Sequence, residues 1–160
     1  VSGFPGGHAG LLVSALATHA LVGYTLGRVA VGRPWAGVLG GVVADLDLLV
    51  PAAWGWPLAH RGITHTGLAA LVAVGVVVAV TRRRDLATAV GLGYASQLLL
   101  DATTPLGVAL WYPLTRTAVT IPGNAHAPVP TLVLWVACVA VLAVDHRLGG
   151  LATPVTRGLR

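Results

Sequence analysis

The sequence predicts an all-α, polytopic transmembrane bundle of about five spans, a single integral membrane domain over residues 1–160. Three observations carry this. Of the 160 residues, 56% are hydrophobic and only 9% charged, against about 25% charged in a soluble domain. The mean hydropathy is +0.82. The apolar residues fall into runs of roughly 20, the length that crosses a bilayer as a helix.

The first expected span covers residues 11–31. The second, 35–53, ends near Pro51 and the Trp54-Gly55-Trp56 group. The third, 64–81, is broken off by Arg82, Arg83, Arg84 and Asp85. The fourth, 86–104, is stopped by Pro105. An irregular segment rich in Pro, Thr, Gly and Trp follows to Pro130, with room for a short re-entrant piece. The fifth span is 131–146, and the tail beyond Gly149 is polar. Glycines recur inside the spans, at 23, 27, 37, 40, 41 and 75. Small residues let helices approach closely in lipid, so a compact bundle is expected. No internal repeat is evident. No cleavable signal peptide is expected either, because the first apolar run is long, lacks a basic leader and carries His19. Position 1 is Val and Met is absent, which points to an alternative start codon or a trimmed chain.

All ten basic residues are Arg, and their placement sets an orientation. Arg28 and Arg33 lie between spans one and two, the triple arginine between spans three and four, and Arg147, Arg157 and Arg160 after span five. In a five-span chain these three places share one side, which the positive-inside rule makes cytoplasmic. Only Arg61 and Arg116 fall opposite. Trp54, Trp56 and Trp111 then lie near the outer interface as an aromatic belt. The formal charge of +5 therefore reads as topology, and no nucleic-acid partner is expected. The one cysteine, Cys138, lies in an apolar run, which excludes a disulfide framework and a paired-thiolate metal site.

The polar residues are few and concentrated. Three of the five acids, Asp45, Asp47 and Asp101, flank the element His60-Arg61-Gly62-Ile63-Thr64-His65. Polar groups in an apolar setting are costly unless paired, hydrated or bound to an ion. The orientation set by the arginines brings Asp45, Asp47, His60, His65 and Asp101 to one depth near the outer face, with Gln97 one helical turn below Asp101 and His19 near the middle of span one. Imidazole and carboxylate together suit zinc, and also manganese or iron. The expected metal ligands are His19, Asp45, His60, His65 and Asp101. Asp47 is expected to accept a proton, and Arg61 to bind an anionic group or to balance the aspartates. Asp45 and Asp47, two residues apart, point to different faces of a regular helix, so one can ligate while the other pairs. His8, His126, His146 and Asp145 read as tail, loop or interfacial groups.

The order of these pieces resembles the membrane-bound metal-dependent hydrolases, a broad bacterial and archaeal family that includes LexA-binding, inner membrane-associated members. The resemblance rests on Thr18-His19, on Gly41 through Asp45 to Asp47, on the His60–His65 element, and on Leu98 through Asp101 to Pro105 and Gly107. It covers residues 14–113, and its most specific part is the His60–His65 element. It implies a hydrolase with distant similarity to zinc-dependent phospholipase C, and makes His19, Asp45, Asp47, His60, His65 and Asp101 the metal or catalytic residues. Where many relatives place a histidine shortly before the final aspartate, this chain has Ser96-Gln97, and Gln is a poor ligand.

The expectation is thus a membrane hydrolase using a divalent cation, zinc first, on phosphoester bonds of lipids or lipid-linked substrates. Two other classes fit parts of the pattern. A transporter or proton relay also uses intramembrane Asp and His, but needs polar access to both faces, and the cytoplasmic half is apolar apart from its loop arginines. A non-catalytic scaffold would use the same groups only to hold helices together.

Overall fold

The computed structural model describes residues 7–149. Arg157 and Arg160, invoked for orientation, lie outside them. Five α-helices are present among the described residues: α1 (Gly7–Val31), α2 (Pro34–Val42), α3 (Gly67–Thr81), α4 (Arg84–Ala102) and α5 (Pro128–Arg147). The only β-type pairing among them is an isolated bridge between Val108 and Val119.

Local sequence explains most boundaries. Pro34 and Pro128 sit at the first helical positions of α2 and α5, where the missing N–H costs nothing. Thr66 caps α3 by accepting from the Ala69 N–H at 3.1 Å. Arg82 ends α3 in a left-handed conformation, φ 57°, and the chain turns directly into α4.

The second expected span departs from a regular helix. α2 stops at Val42, and the chain tightens into a seven-residue 3-10 turn, Val43–Leu49. Runs of that length are uncommon because their hydrogen bonds are poorer than those of an α-helix. Two glycines and two β-branched valines immediately precede or open it, all weak helix formers. Val50 is extended ahead of Pro51, as a residue before proline prefers. This turn carries both Asp45 and Asp47.

α1, α2 and α4 form the centre, with α3 packed on α4 and α5 on α1. Glycine makes the close approach possible. A Cβ on Gly23 or Gly37 would overlap the other's carbonyl oxygen, one on Gly41 would meet the His19 carbonyl oxygen, and one on Gly40 that of Val90. These pairings make α1 and α2 antiparallel. The starts of α2 and α4 are tied by an ion pair between Arg33 and Asp85. Hydrogen bonds from Arg83 and Arg33 hold the Asp85 carboxyl well below the usual carboxylate range. At the same end Arg28 Nε donates to Asp145 Oδ2 at 2.9 Å, joining α1 to α5. Asp145, expected as an interfacial group, is buried. The Trp135 indole N–H donates to Thr18 Oγ1 at 2.9 Å. Both α1–α5 contacts are ten residues apart on each helix, so these helices run parallel.

α1 and α5 are long and apolar enough to cross a membrane. α3 is apolar throughout but has 15 residues, and α2 has nine, short of the roughly 20 a span needs. α4 is the least apolar because it is the most enclosed: eleven of its 19 residues are buried, so it faces protein and not lipid. The outer helices do the reverse. Leu71 and Val80 of α3 and Val129, Leu132 and Val136 of α5 are well exposed. Contiguous apolar faces of this kind are poorly solvated by water and match a hydrocarbon surround.

Candidate metal centre

Asp45 and Asp47 leave the 3-10 turn, His60, Arg61 and His65 the connection to α3, Asp101 the last turn of α4, and His19 the middle of α1. The structure brings all seven together at the end of the bundle opposite the arginine pairs.

His65 is fully buried, with carboxylates facing both ring nitrogens. Its Nδ1 lies 3.0 Å from Asp47 Oδ2, and its Nε2 lies 3.3 Å from Asp45 Oδ1 and 3.4 Å from Asp101 Oδ2. The 3-10 geometry allows this clasp, since two residues at 120° per step send Asp45 and Asp47 to different sides of one imidazole. Asp47 is the hub of the connection. It lies 2.8 Å from His60 Nδ1, accepts from the Arg61 backbone N–H at 3.0 Å and accepts from Thr64 Oγ1 at 2.6 Å. With its oxygens engaged in this way, Asp47 orients two histidines, the arrangement by which a carboxylate fixes imidazole ligands from behind. Arg61 adopts φ 63°, a left-handed conformation uncommon outside glycine, and its N–H to Asp47 helps hold it there.

Of the aspartates that Arg61 was expected to balance, its side chain pairs with Asp101. The guanidinium reaches Asp101, donating from Nη2 to Oδ1 at 2.8 Å, while Nη1 donates to the Thr104 hydroxyl and, at 3.4 Å, to the Gly107 carbonyl. Thr104 in turn donates to the Asp101 carbonyl at 2.7 Å. Thr104 thus caps the last turn of α4 through the Asp101 carbonyl, and the Asp101 carboxylate is left to the cluster.

His126 corrects the expectation of a plain loop group. It is buried, with Nε2 3.3 Å from Asp101 Oδ1, and its ring stands edge-on to that of His19 at 5.0 Å. His19 is itself buried, with Nε2 3.7 Å from the same oxygen. The return of residues 103–127 puts His126 there: Ile121 N–H donates to the Ala102 carbonyl at 2.7 Å and Ala125 N–H to Thr103 Oγ1 at 2.9 Å. No spacing rule in the sequence points to it, since His126 lies 25 residues from Asp101. The one available signal was its place on the same side of the expected topology.

Among the described residues two groups have ligand atoms within 4.8 Å of one another: Asp45, His60 and His65, and His19, Asp101 and His126. His65 Nε2 and Asp101 Oδ2 make no hydrogen bond among the described residues although they face each other. Ligands about 2.0–2.2 Å from a tetrahedral zinc stand about 3.3–3.5 Å apart. The 3.3 and 3.4 Å separations around His65 Nε2 match such edges, so these residues are spaced to hold such an ion.

Apolar outer helices around an enclosed polar cluster define a helical membrane protein. The chain belongs to the YdjM inner membrane protein family, whose model matches residues 12–156. That description gives the family a location and names no activity. No curated protein and no solved structure matches the chain.

Proposed function

We propose that this protein is a multi-pass inner-membrane hydrolase that depends on a divalent cation, zinc first, and acts on phosphoester bonds of lipids or lipid-linked substrates. The observation that carries the reading is that His65 Nε2 has Asp45 Oδ1 at 3.3 Å and Asp101 Oδ2 at 3.4 Å. These groups come from three separate elements, and two of the three atoms make no hydrogen bond. A buried polar atom without a partner costs about 1–3 kcal/mol, which a shared cation would offset.

In this reading Asp45, His60, His65 and Asp101 hold the ion. His60 uses its Nε2, since its Nδ1 is taken by Asp47, and His19 lies behind Asp101. When bound, the ion supplies Lewis-acid activation of water and of a phosphoryl oxygen. Asp47 positions the two histidines. Arg61 holds Asp101 and provides the cationic charge that draws the substrate's anionic group. An apolar groove of about 330 Å³ between α3, α4 and the segment after α4 is lined by Ala70, Leu98, Ala102, Val108 and Ile121. It lies next to Asp101 in sequence and suits the tail of a lipid-linked substrate. The topology proposed with it keeps the arginine end cytoplasmic and the site beneath the outer surface.

Protein purified in detergent is expected to retain a transition metal by elemental analysis and to release phosphate or a phosphorylated headgroup from a panel of phospholipids and isoprenoid phosphates. Both properties are lost in His65→Ala and on chelation. Metal-free protein whose thermal stability is unchanged by chelator and by added zinc overturns the reading.

A further inference from the structure

We propose that the centre binds two cations, not one, with Asp101 as the bridging carboxylate and His126 and His19 as ligands of the second ion. This rests on the metal-dependent reading above and adds a site to it. The observation is the way Asp101 divides its oxygens. Oδ2 faces His65 Nε2 at 3.4 Å, and Oδ1 faces His126 Nε2 at 3.3 Å and His19 Nε2 at 3.7 Å. Each oxygen of one carboxylate thus meets a different set of imidazoles, and the two sets approach from different elements, the start of α3 on one side and α1 with the entry to α5 on the other.

The second set has the properties of a built site. His19, Asp101 and His126 are all buried, and their ligand atoms lie within 4.8 Å of one another. The far nitrogens, Nδ1 of His19 and of His126, have no hydrogen-bond partner among the described residues. Ligation through Nε2 leaves these two Nδ1 atoms as N–H donors for water to satisfy. Gln97 is fully buried and neither its Oε1 nor its Nε2 has a partner. It stands one helical turn below Asp101 on the same face of α4. His126 reaches the same carboxylate from the entry to α5. Asp101 Oδ1 also accepts from Arg61 Nη2 at 2.8 Å; a carboxylate oxygen carries two lone pairs, so guanidinium and ion can share it. Paired cations roughly 3.5–4 Å apart are a general device for phosphoester displacement, one stabilising the attacking and the other the leaving oxygen.

The test is stoichiometry. Full-length protein in detergent is stripped with chelator, titrated with zinc alone, and its bound metal counted per chain. Two equivalents are expected for the unaltered protein and one for His126→Gln and for His19→Gln. One is also expected for His65→Gln, with the loss falling on the other ion. Cobalt substitution gives a second readout: magnetic coupling between two cobalt ions is expected in the unaltered protein and absent in His126→Gln. Each variant is first shown to elute as a single species. One equivalent in the unaltered protein, lost in His65→Gln and kept in His126→Gln, overturns the second ion and leaves the hydrolase reading standing. No bound metal at all overturns both.

Discussion

At the scale of single residues, Asp47 separates positioning from ligation. Its contacts run to His60 Nδ1, His65 Nδ1, Thr64 Oγ1 and the Arg61 N–H, and none runs to Asp101 or Asp45. Carboxylates behind ligating histidines typically tune metal affinity by about 10–100-fold. Asp47→Asn is therefore expected to weaken zinc binding by about that factor while keeping the metal count, as read by competition with a chromophoric chelator. Asp101→Asn is expected to reduce the count itself. Equal loss from both substitutions would remove the distinction. The sequence placed Asp47 in the site but could not show its role, because role depends on which lone pairs remain free, and that is a matter of partners drawn from Thr64 and the Arg61 backbone.

At the scale of elements, the glycines of α1 and α2 set the site's depth. The Gly41 Cα faces the His19 backbone so closely that a Cβ would meet its carbonyl oxygen, and Gly41 is four residues ahead of Asp45. Helix spacing at Gly41 thus fixes how far His19 stands from the acids. Gly41→Ala and Gly37→Ala each press a methyl group into backbone, which cannot yield as a flexible side chain does. A loss of about 1–3 kcal/mol is expected for each, seen as a lowered unfolding temperature in detergent. Gly75→Ala is the control, since a Cβ there meets nothing within 4 Å, and no loss is expected. The helical nature of α1, α3, α4 and α5 was legible in their apolar runs. The break of the second span at Val42 was not: a 3-10 turn keeps the same hydropathy as an α-helix and differs only in how tightly it winds.

For the whole molecule, the charges sort the ends. Arg28 with Asp145, and Arg33 and Arg83 with Asp85, close one end, and the His/Asp cluster closes the other. The proposed topology predicts labelling from opposite sides. In a Cys138→Ala background, Thr115→Cys is expected to react with an impermeant maleimide on intact spheroplasts. Arg83→Cys is expected to react only after the membrane is opened. Reaction of both from the same side would refute the multi-pass orientation. Lipid contact is also a property of the whole: α4 could remain weakly apolar because α1, α2 and α3 cover it, while α3 and α5 present their valines and leucines outward.

The sequence by itself determined the helical class, the membrane setting, the clustering of Asp45, Asp47, His60, Arg61, His65 and Asp101 at one end, and most of the other arginines at the other. Hydropathy and charge are properties of neighbours along the chain, and they survive without coordinates. Only the tertiary structure decided who meets whom: His65 clasped by two aspartates, Arg61 turned to Asp101, and His126 carried back to a carboxylate 25 residues away. Those choices rest on the 3-10 winding at Val43–Leu49 and on backbone hydrogen bonds that return residues 103–127 to the end of α4. Such bonds form between peptide groups that every residue carries, so no side-chain pattern announces them.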